Sequence, residues 1–214
     1  MSVDGVLCIS LENRDDRRTL LASEFEGTDL AIEFYLAQRD ADPERGCFES
    51  HQACARIALA RGYDRVLLLE DDATLEQVSR KQISRINRFL TLNDPELFYL
   101  GTTLGTLWLT WNLGIARCRV RGTHAYILNK AGCEKLAAQS YEGIAIDKLF
   151  SRLFRGYCSF PMLCQQQPEE MSYSDIAEAF GLPSMTSSDW QTNWRKQYRC
   201  ALKNIGKTII RKDL

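Results

Sequence analysis

One stretch of the sequence joins a buried strand to three consecutive acidic residues. The aliphatic residues 66–69 are followed directly by Glu70, Asp71 and Asp72. Such an aliphatic run predicts a strand that is buried on both faces, as in the middle of a parallel sheet. Three carboxylates at one strand end repel one another and lose hydration, so cations or hydrogen-bond donors must compensate them. Because open α/β sheets bind ligands at the carboxyl ends of their strands, this end is the candidate functional site.

The chemistry of the acidic cluster indicates a hard cation. Oxygen-only ligands suit Mg²⁺ or Mn²⁺ bridging a diphosphate, with water or substrate oxygens completing the coordination shell. We expect Glu70 and Asp72 to project to one face of the strand end and Asp71 to the other. A structural alternative stays open: a strand-to-helix turn in which Asp72 or Thr74 caps the next helix.

Composition is that of a soluble globular protein. The 214 residues are 45% hydrophobic and 26% charged with net charge −1, which suits one large α/β domain, alone or with an appendage, and gives no bias toward nucleic acid. The first residues lack a basic and apolar leader, so we expect no signal peptide. The eight cysteines include no CxxC pair and are expected to be buried thiols in a reducing cytoplasm.

The order of predicted elements is that of a Rossmann-like α/β fold with a parallel sheet. Strands are predicted at 6–11, 32–36, 66–73, 97–101, 123–128 and 158–163. Helices are predicted at 47–61, 75–92, 130–139 and 149–153. The segment 102–116 lacks periodicity and is predicted to be a loop, whose Trp108 and Trp111 could stack on a sugar ring or pack internally.

Outside the acidic cluster, the residues alone leave functional and structural roles open. Arg14, Arg17 and Arg18 follow the first strand and could bind a diphosphate or pair with neighbouring aspartates. A lone histidine such as His51 is typical of a structural residue. A lone aspartate at a helix start, such as Asp147, is typical of a cap.

The composition changes after Gly181, which divides the chain into residues 1–180 and a tail, 181–214. Apolar residues recur in the tail at spacings of three and four, as on one stripe of a helix: Trp190, Trp194, Tyr198, Ala201, Ile205 and Ile209. Basic residues surround this stripe. The pattern fits docking of 190–212 at an anionic membrane surface, or packing of a terminal helix on the domain with its basic face in solvent.

Six segments, taken in order, resemble glycosyltransferase family 25, the lipooligosaccharide and procollagen galactosyltransferases. The matching segments are 9–18, 46–51, 66–73, 99–101, 122–128 and, less continuously, 161–176. The family usually has Asn-Leu-Asp where this chain has Ser10, Leu11 and Glu12. The resemblance implies a GT-A fold, a nucleotide-sugar donor (most often UDP-galactose), a divalent metal (Mn²⁺ or Mg²⁺) and inversion at the anomeric carbon.

The resemblance also assigns roles to residues. Asp72 would coordinate the metal directly, Glu70 and Asp71 would support it or bind the ribose, and His124 could complete the metal environment. Asp147 would be the general base on the acceptor side. The predicted nucleotide-sugar contacts are Ser10, Asn13, Arg14, Arg17, Arg18, Ser50, His51, Glu70, Asp71, Gly101 and Gln165.

The expected activity is therefore metal-dependent, inverting transfer of a hexose, galactose in most of the family, from a UDP-sugar to a saccharide or glycolipid acceptor. The implied setting is biosynthesis of lipopolysaccharide, lipooligosaccharide or a similar surface glycan, in the cytoplasm or peripherally on the inner face of its membrane. One alternative is a metal-dependent phosphohydrolase, against which the first strand has Ile9-Ser10-Leu11 in place of an acidic nucleophile motif. Another is a nucleotide-sugar-binding protein without turnover.

Overall fold

A computed structural model describes residues 1–76, 78–167 and 186–210. Its centre is an eight-stranded sheet with the strand order β2-β1-β3-β8-β5-β9-β7-β6, and β10 pairs with β4 beside it. The strands are β1 Gly5–Leu11, β2 Ile32–Ala37, β3 Arg65–Glu70, β4 Ala73–Leu75, β5 Leu97–Tyr99, β6 Leu104–Leu109, β7 Ile115–Arg121, β8 Ala125–Asn129, β9 Gly156–Ser159 and β10 Cys164–Gln166.

The sheet is mixed but mostly unidirectional. Strands β2, β1 and β3 are parallel neighbours, and so are β5 and β9, whereas β8 and β7 pair antiparallel with the strands beside them. Following these pairings across the sheet, β8 and β7 run opposite to the other strands. The predicted α/β class with a mostly parallel central sheet is confirmed.

Helices cover both faces of the sheet. They are α1 Asp15–Glu24, α2 Pro43–Ala60, α3 Arg80–Asn93, α4 Lys130–Ala137, α5 Ile146–Leu153, α6 Ser187–Lys203 and α7 Ile205–Ile209. Val66 and Leu68 of β3 pack into a core with residues of α2, α4 and α5. Leu67 and Leu69 pack with residues of α1 and α3 on the opposite face. Because both faces are covered, the central strand is aliphatic at residues 66–69.

The structure corrects several predicted elements. The strand predicted at 158–163 ends at Ser159, and the strand predicted at 66–73 ends at Glu70. The helix predicted at 47–61 begins at Pro43, where the side chain of Asp42 accepts hydrogen bonds from two backbone N–H groups of the first turn. The helix predicted at 75–92 begins at Arg80, because 73–75 form β4. The predicted loop 102–116 contains β6 and the start of β7. A strand follows Asp72, so the alternative that Asp72 or Thr74 caps a helix is wrong.

The tail helix packs on the domain through β6. Ala201 is buried, and the rings of Tyr198 and Phe160 lie 4.9 Å apart. Ile205 and Ile209 of the predicted apolar stripe are exposed, while the side chains of Trp190 and Trp194 lie outside the described part of the chain. The 180/181 division and the 168–176 part of the family-25 match also lie outside the described residues, so the division stays a prediction.

The close approach at Gly101 generates the first testable prediction. A Cβ at Gly101 would lie 1.9 Å from the Cys164 carbonyl oxygen and 2.6 Å from His124 Nε2. Since the first contact is with backbone, we expect Gly101→Ala to lower the free energy of unfolding by about 1–3 kcal/mol or more. The matched control is Gly206→Ala, in the short helix α7 with no atom within 4 Å of the added carbon, which should be neutral or stabilising. Urea unfolding measures both, and equal midpoints would contradict the prediction.

Candidate active site

The acidic cluster lies in a tight turn between two strands. Strand β3 ends at Glu70, Asp71 and Asp72 form the turn, and β4 begins at Ala73. The Asp72 carbonyl accepts a hydrogen bond of 2.7 Å from the Gln167 backbone N–H. The turn therefore fixes the acidic side chains where the carboxyl ends of β1 and β3 meet.

A single arginine bridges the two aspartates. Arg17 of α1 is buried, and its Nη1 lies 2.8 Å from Asp71 Oδ1 while its Nη2 lies 3.1 Å from Asp72 Oδ2. Gln166 Nε2 also donates to the same Asp72 oxygen, at 3.3 Å. Asp72 Oδ1, in contrast, is buried and has no hydrogen-bond partner among the described residues. Among the described residues, this carboxylate oxygen therefore has acceptor capacity left for a ligand.

Glu70 has its own set of partners on the other side of the cluster. The Thr123 hydroxyl donates to Glu70 Oε1 at 2.6 Å, and His51 Nε2 lies 3.3 Å from that oxygen. The other ring nitrogen, His51 Nδ1, lies 2.7 Å from the hydroxyl of the buried Tyr126. The result is a buried chain from Tyr126 through His51 to Glu70, which holds this carboxylate away from the aspartates.

These environments separate the pKa values of the carboxylates. Burial by itself would raise the pKa of Glu70, but hydrogen bonds from His51 and Thr123 and the nearby imidazoles lower it to about 2. Burial raises the pKa of Asp72 to about 7. The positive charge of Arg17 lowers this pKa, whereas the negative charges of Glu70 and Asp71 raise it further. Burial also raises the pKa of Asp71, again against Arg17. Glu70 therefore stays ionised to a lower pH than Asp71 or Asp72.

A cavity of about 300 Å³ opens beside the cluster. It lies at the carboxyl ends of β1, β2 and β3, next to the first turn of α2. Its walls include seven predicted site residues: Ser10, Arg17, Ser50, His51, Glu70, Asp71 and Asp72. Gln38, Arg39 and Asp40 after β2 complete the wall, although nothing in the sequence pattern singled them out.

A second cavity of about 340 Å³ adjoins the first. Asp147, in the first turn of α5, lies in its wall together with Glu44, Arg121 and Thr123. Glu70, Cys47 and Gln166 line both cavities. The N-cap residue of α5 is Ala145, so Asp147 is not the cap that a lone aspartate usually provides. Burial raises the pKa of Asp147, opposed by the charge of Arg121.

Other predicted contacts lie away from the two cavities. Arg18 ties the loop after β1 by donating to the Leu11 and Glu12 carbonyls, and Arg14 pairs with Asp16 at 3.0 Å. Gln165 donates to Glu76, and its neighbour Gln166 is the glutamine at the site. Asn13 is exposed in the turn before α1 and is not in either cavity wall.

The predicted metal ligands do not form a four-residue cage. Within the described residues, no three His, Cys, Asp or Glu side chains are grouped so that they could hold a metal ion. His124 is buried against Gly101 behind the acidic turn, and Gly101 admits the Cys164 backbone instead of lining a cavity. The unpartnered Asp72 Oδ1 still fits one coordination position of a cation that takes its other ligands from phosphates and water, as Mg²⁺ often does.

No protein-family model and no curated protein matches this chain, so membership of family 25 is not supported. Among solved structures, A197 from STIV is similar with 13% identity and TM-score 0.48, over 76% of this chain and 94% of that one. A glycosyltransferase involved in glycosylation of the major capsid of PBCV-1 is similar with 12% identity and TM-score 0.37, over 62% of each chain. UDP-glucose pyrophosphorylase, solved with UDP-glucose, has 10% identity and TM-score 0.41, over 71% of this chain and 66% of that one. Similarity at this level does not establish a shared activity.

None of the described helices is long and apolar enough to cross a membrane.

The raised pKa of Asp72 generates a stability prediction. The pKa of Asp72 is about 3.9 in the unfolded chain and about 7 in the folded chain. Between these pH values Asp72 is more protonated in the folded chain than in the unfolded chain, so the free energy of unfolding falls as pH rises. Asp72→Asn removes the buried charge and should raise the melting temperature at pH 8 by roughly 2–4 °C, with a smaller effect at pH 5. Asp40→Asn is the control: Arg45 lowers the pKa of Asp40, so this change should give no gain. Equal melting temperatures of wild type and Asp72→Asn at pH 8 would contradict the prediction.

Proposed function

We propose that this chain is a metal-dependent, inverting glycosyltransferase that moves a hexose from a UDP-sugar to a saccharide acceptor. The observation that carries the proposal is the pair of adjoining cavities, with Asp72 in one, Asp147 in the other and Glu70 in their common wall. Inverting transfer needs this two-sided arrangement, because the acceptor hydroxyl attacks the face opposite the departing diphosphate.

In this proposal the first cavity binds the donor. Its position at the carboxyl ends of three parallel strands is where open α/β sheets bind nucleotides. Arg39 contributes positive charge to the wall. Because Arg17 already pairs with Asp71 and Asp72, a bound cation would have to balance most of the diphosphate charge. Asp72 would hold a divalent cation through Oδ1. When bound, the cation would act as a Lewis acid that stabilises the negative charge of the leaving diphosphate.

The second cavity would bind the acceptor. Thr123, Glu44 and Arg121 offer hydrogen-bonding groups for sugar hydroxyls around Asp147. The Asp147 carboxylate takes the proton of the acceptor hydroxyl as that oxygen bonds to the anomeric carbon. The bond from this carbon to the diphosphate oxygen breaks in the same step, and UDP leaves with the electron pair. The raised pKa of Asp147 strengthens it as a proton acceptor.

Glu70 would position the transferred sugar between the two cavities. Its carboxylate is partly exposed, and the bonds from His51 and Thr123 fix its direction. An ionised carboxylate held in this way accepts hydrogen bonds from sugar hydroxyls. His51 then acts as a positioning residue instead of a nucleotide contact. Galactose as the sugar and a lipooligosaccharide-type acceptor follow from the family resemblance alone and belong to the proposal on that basis.

The metal role predicts cation-dependent turnover of a UDP-sugar. UDP release from a panel of UDP-sugars should require Mn²⁺ or Mg²⁺ and stop with a chelator. Asp72→Asn should lower it about a hundredfold or more, because the leaving group loses its Lewis acid. The control Asp64→Asn, at an exposed position outside both cavity walls, should retain most activity. UDP binding without release for any sugar or acceptor would favour the binding-protein alternative, and phosphate release from simple phosphate esters would favour the phosphohydrolase. Unchanged turnover in Asp72→Asn would reject the metal assignment.

The acceptor-side role predicts a different defect for Asp147→Asn. Removing a general base should lower transfer about 10²–10⁴-fold, whereas UDP affinity, measured by calorimetry, should stay unchanged because Asp147 lies outside the donor cavity. Glu142→Gln, an exposed acid just before α5, is the matched control and should retain transfer. Wild-type rates in Asp147→Asn would remove this residue from the mechanism.

A further inference from the structure

The tail helices are attached to the domain by polar side chains. Gln197 Nε2 donates to the Thr103 carbonyl at 3.1 Å, Asn204 Nδ2 to the Leu107 carbonyl at 2.9 Å, and Thr208 Oγ1 to the Leu109 carbonyl at 2.6 Å. These carbonyls belong to β6 and the residue before it, at the edge of the sheet. The side chains recur at helical spacing along α6 and α7, so this polar stripe faces the protein.

Ala201 and Tyr198 pack on the domain, but the large aliphatic side chains of the tail face outward. Four large aliphatic residues of the tail are more than half exposed: Leu202 at 67%, Ile205 at 52%, Ile209 at 64% and Ile210 at 68%. An amphipathic helix on a protein surface normally does the opposite, with its apolar stripe on the core and its polar stripe in water. A clustered set of exposed aliphatic residues of this kind marks an interaction surface.

The charge around this surface is mostly positive. Helices α6 and α7 contain five basic residues and one acidic residue, Asp189 in the first turn of α6. Arg195, Lys196, Arg199 and Lys203 are exposed, while Lys207 Nζ lies 5.2 Å from the ring centroid of Trp108. Aliphatic side chains ringed by Lys and Arg match an anionic lipid bilayer, which takes the apolar groups at its interface and attracts the cations.

We propose that α6 and α7 form a docking surface for an anionic lipid bilayer, with Leu202, Ile205, Ile209 and Ile210 entering the interface. The main competing occupant is a second copy of the chain. A two-fold contact through the same aliphatic residues would bring the basic residues of both copies together, with Asp189 as the single acidic residue of α6 and α7, so charge favours the bilayer. The inference concerns where the protein is held, and it does not require the proposed transfer reaction.

Vesicle sedimentation of the full chain tests the proposal. Wild type should bind vesicles of phosphatidylcholine mixed with phosphatidylglycerol and bind pure phosphatidylcholine much less. The variant Leu202→Gln/Ile205→Gln/Ile209→Gln should bind the mixed vesicles at least about tenfold more weakly, because lipid contact of the aliphatic groups is lost. Leu92→Gln/Leu113→Gln is the matched control, since these residues are 69% and 73% exposed outside the surface, and it should bind like wild type.

Three outcomes would overturn the proposal. They are absence of wild-type binding to the mixed vesicles, undiminished binding by the triple variant, and a concentration-dependent dimer, seen by light scattering, that the triple variant abolishes. Thermal unfolding checks that the triple variant keeps its fold, as changes at exposed positions should allow. Vesicle binding is measured without any UDP-sugar, and turnover is measured without vesicles, so failure of docking and failure of the proposed reaction are distinguished.

Discussion

The arrangement of the site depends on how three carboxylates at one strand end are compensated. Arg17 forms ion pairs with both aspartates of the turn, while His51 and Thr123 hold Glu70 by hydrogen bonds. These partners come from α1, α2 and the segment before β8, so the compensation exists only after β3 has β1 on one side and β8 on the other. The geometry of the acidic turn therefore depends on the strand order of the whole sheet. Glu70 has one set of partners, and Asp71 and Asp72 share the guanidinium of Arg17.

The parts of this architecture that the sequence predicted are those with strong local patterns. Aliphatic runs located β1, β3 and β8 because strands buried on both faces admit few polar residues. The acidic strand end located the first cavity, since no other strand ends in three carboxylates. The family resemblance predicts Asp147 on the acceptor side, and this residue lies in a cavity wall that also contains Glu70.

The parts that the sequence did not predict depend on register and on distant partners. Arg17 and Arg18 differ only in helical phase, and Arg14 precedes the helix as its N-cap residue. The phase of Arg17 puts its guanidinium against the acidic turn. Gln165 and Gln166 are identical neighbours, and only the pairing of β10 with β4 decides which one reaches Asp72. The sequence of the β6–β7 hairpin shows no alternation of apolar and polar residues. Consecutive residues such as Leu107 and Trp108 are both buried, because both faces of the strand are covered.

The tail shows a further limit of reading amphipathicity from sequence. A helical pattern in the sequence identifies an apolar face and a polar face. It does not determine which face packs on the protein when the edge of a sheet is nearby. Here the outer carbonyls of β6 are hydrogen-bonded by side chains, which also closes an edge that could otherwise pair with another strand. Thr103 connects this edge to the site: its carbonyl accepts from Gln197, its hydroxyl donates to Gln166, and it lines the second cavity. The helix that carries the exposed aliphatic surface is thereby fixed, through one residue, to the wall of the proposed acceptor cavity.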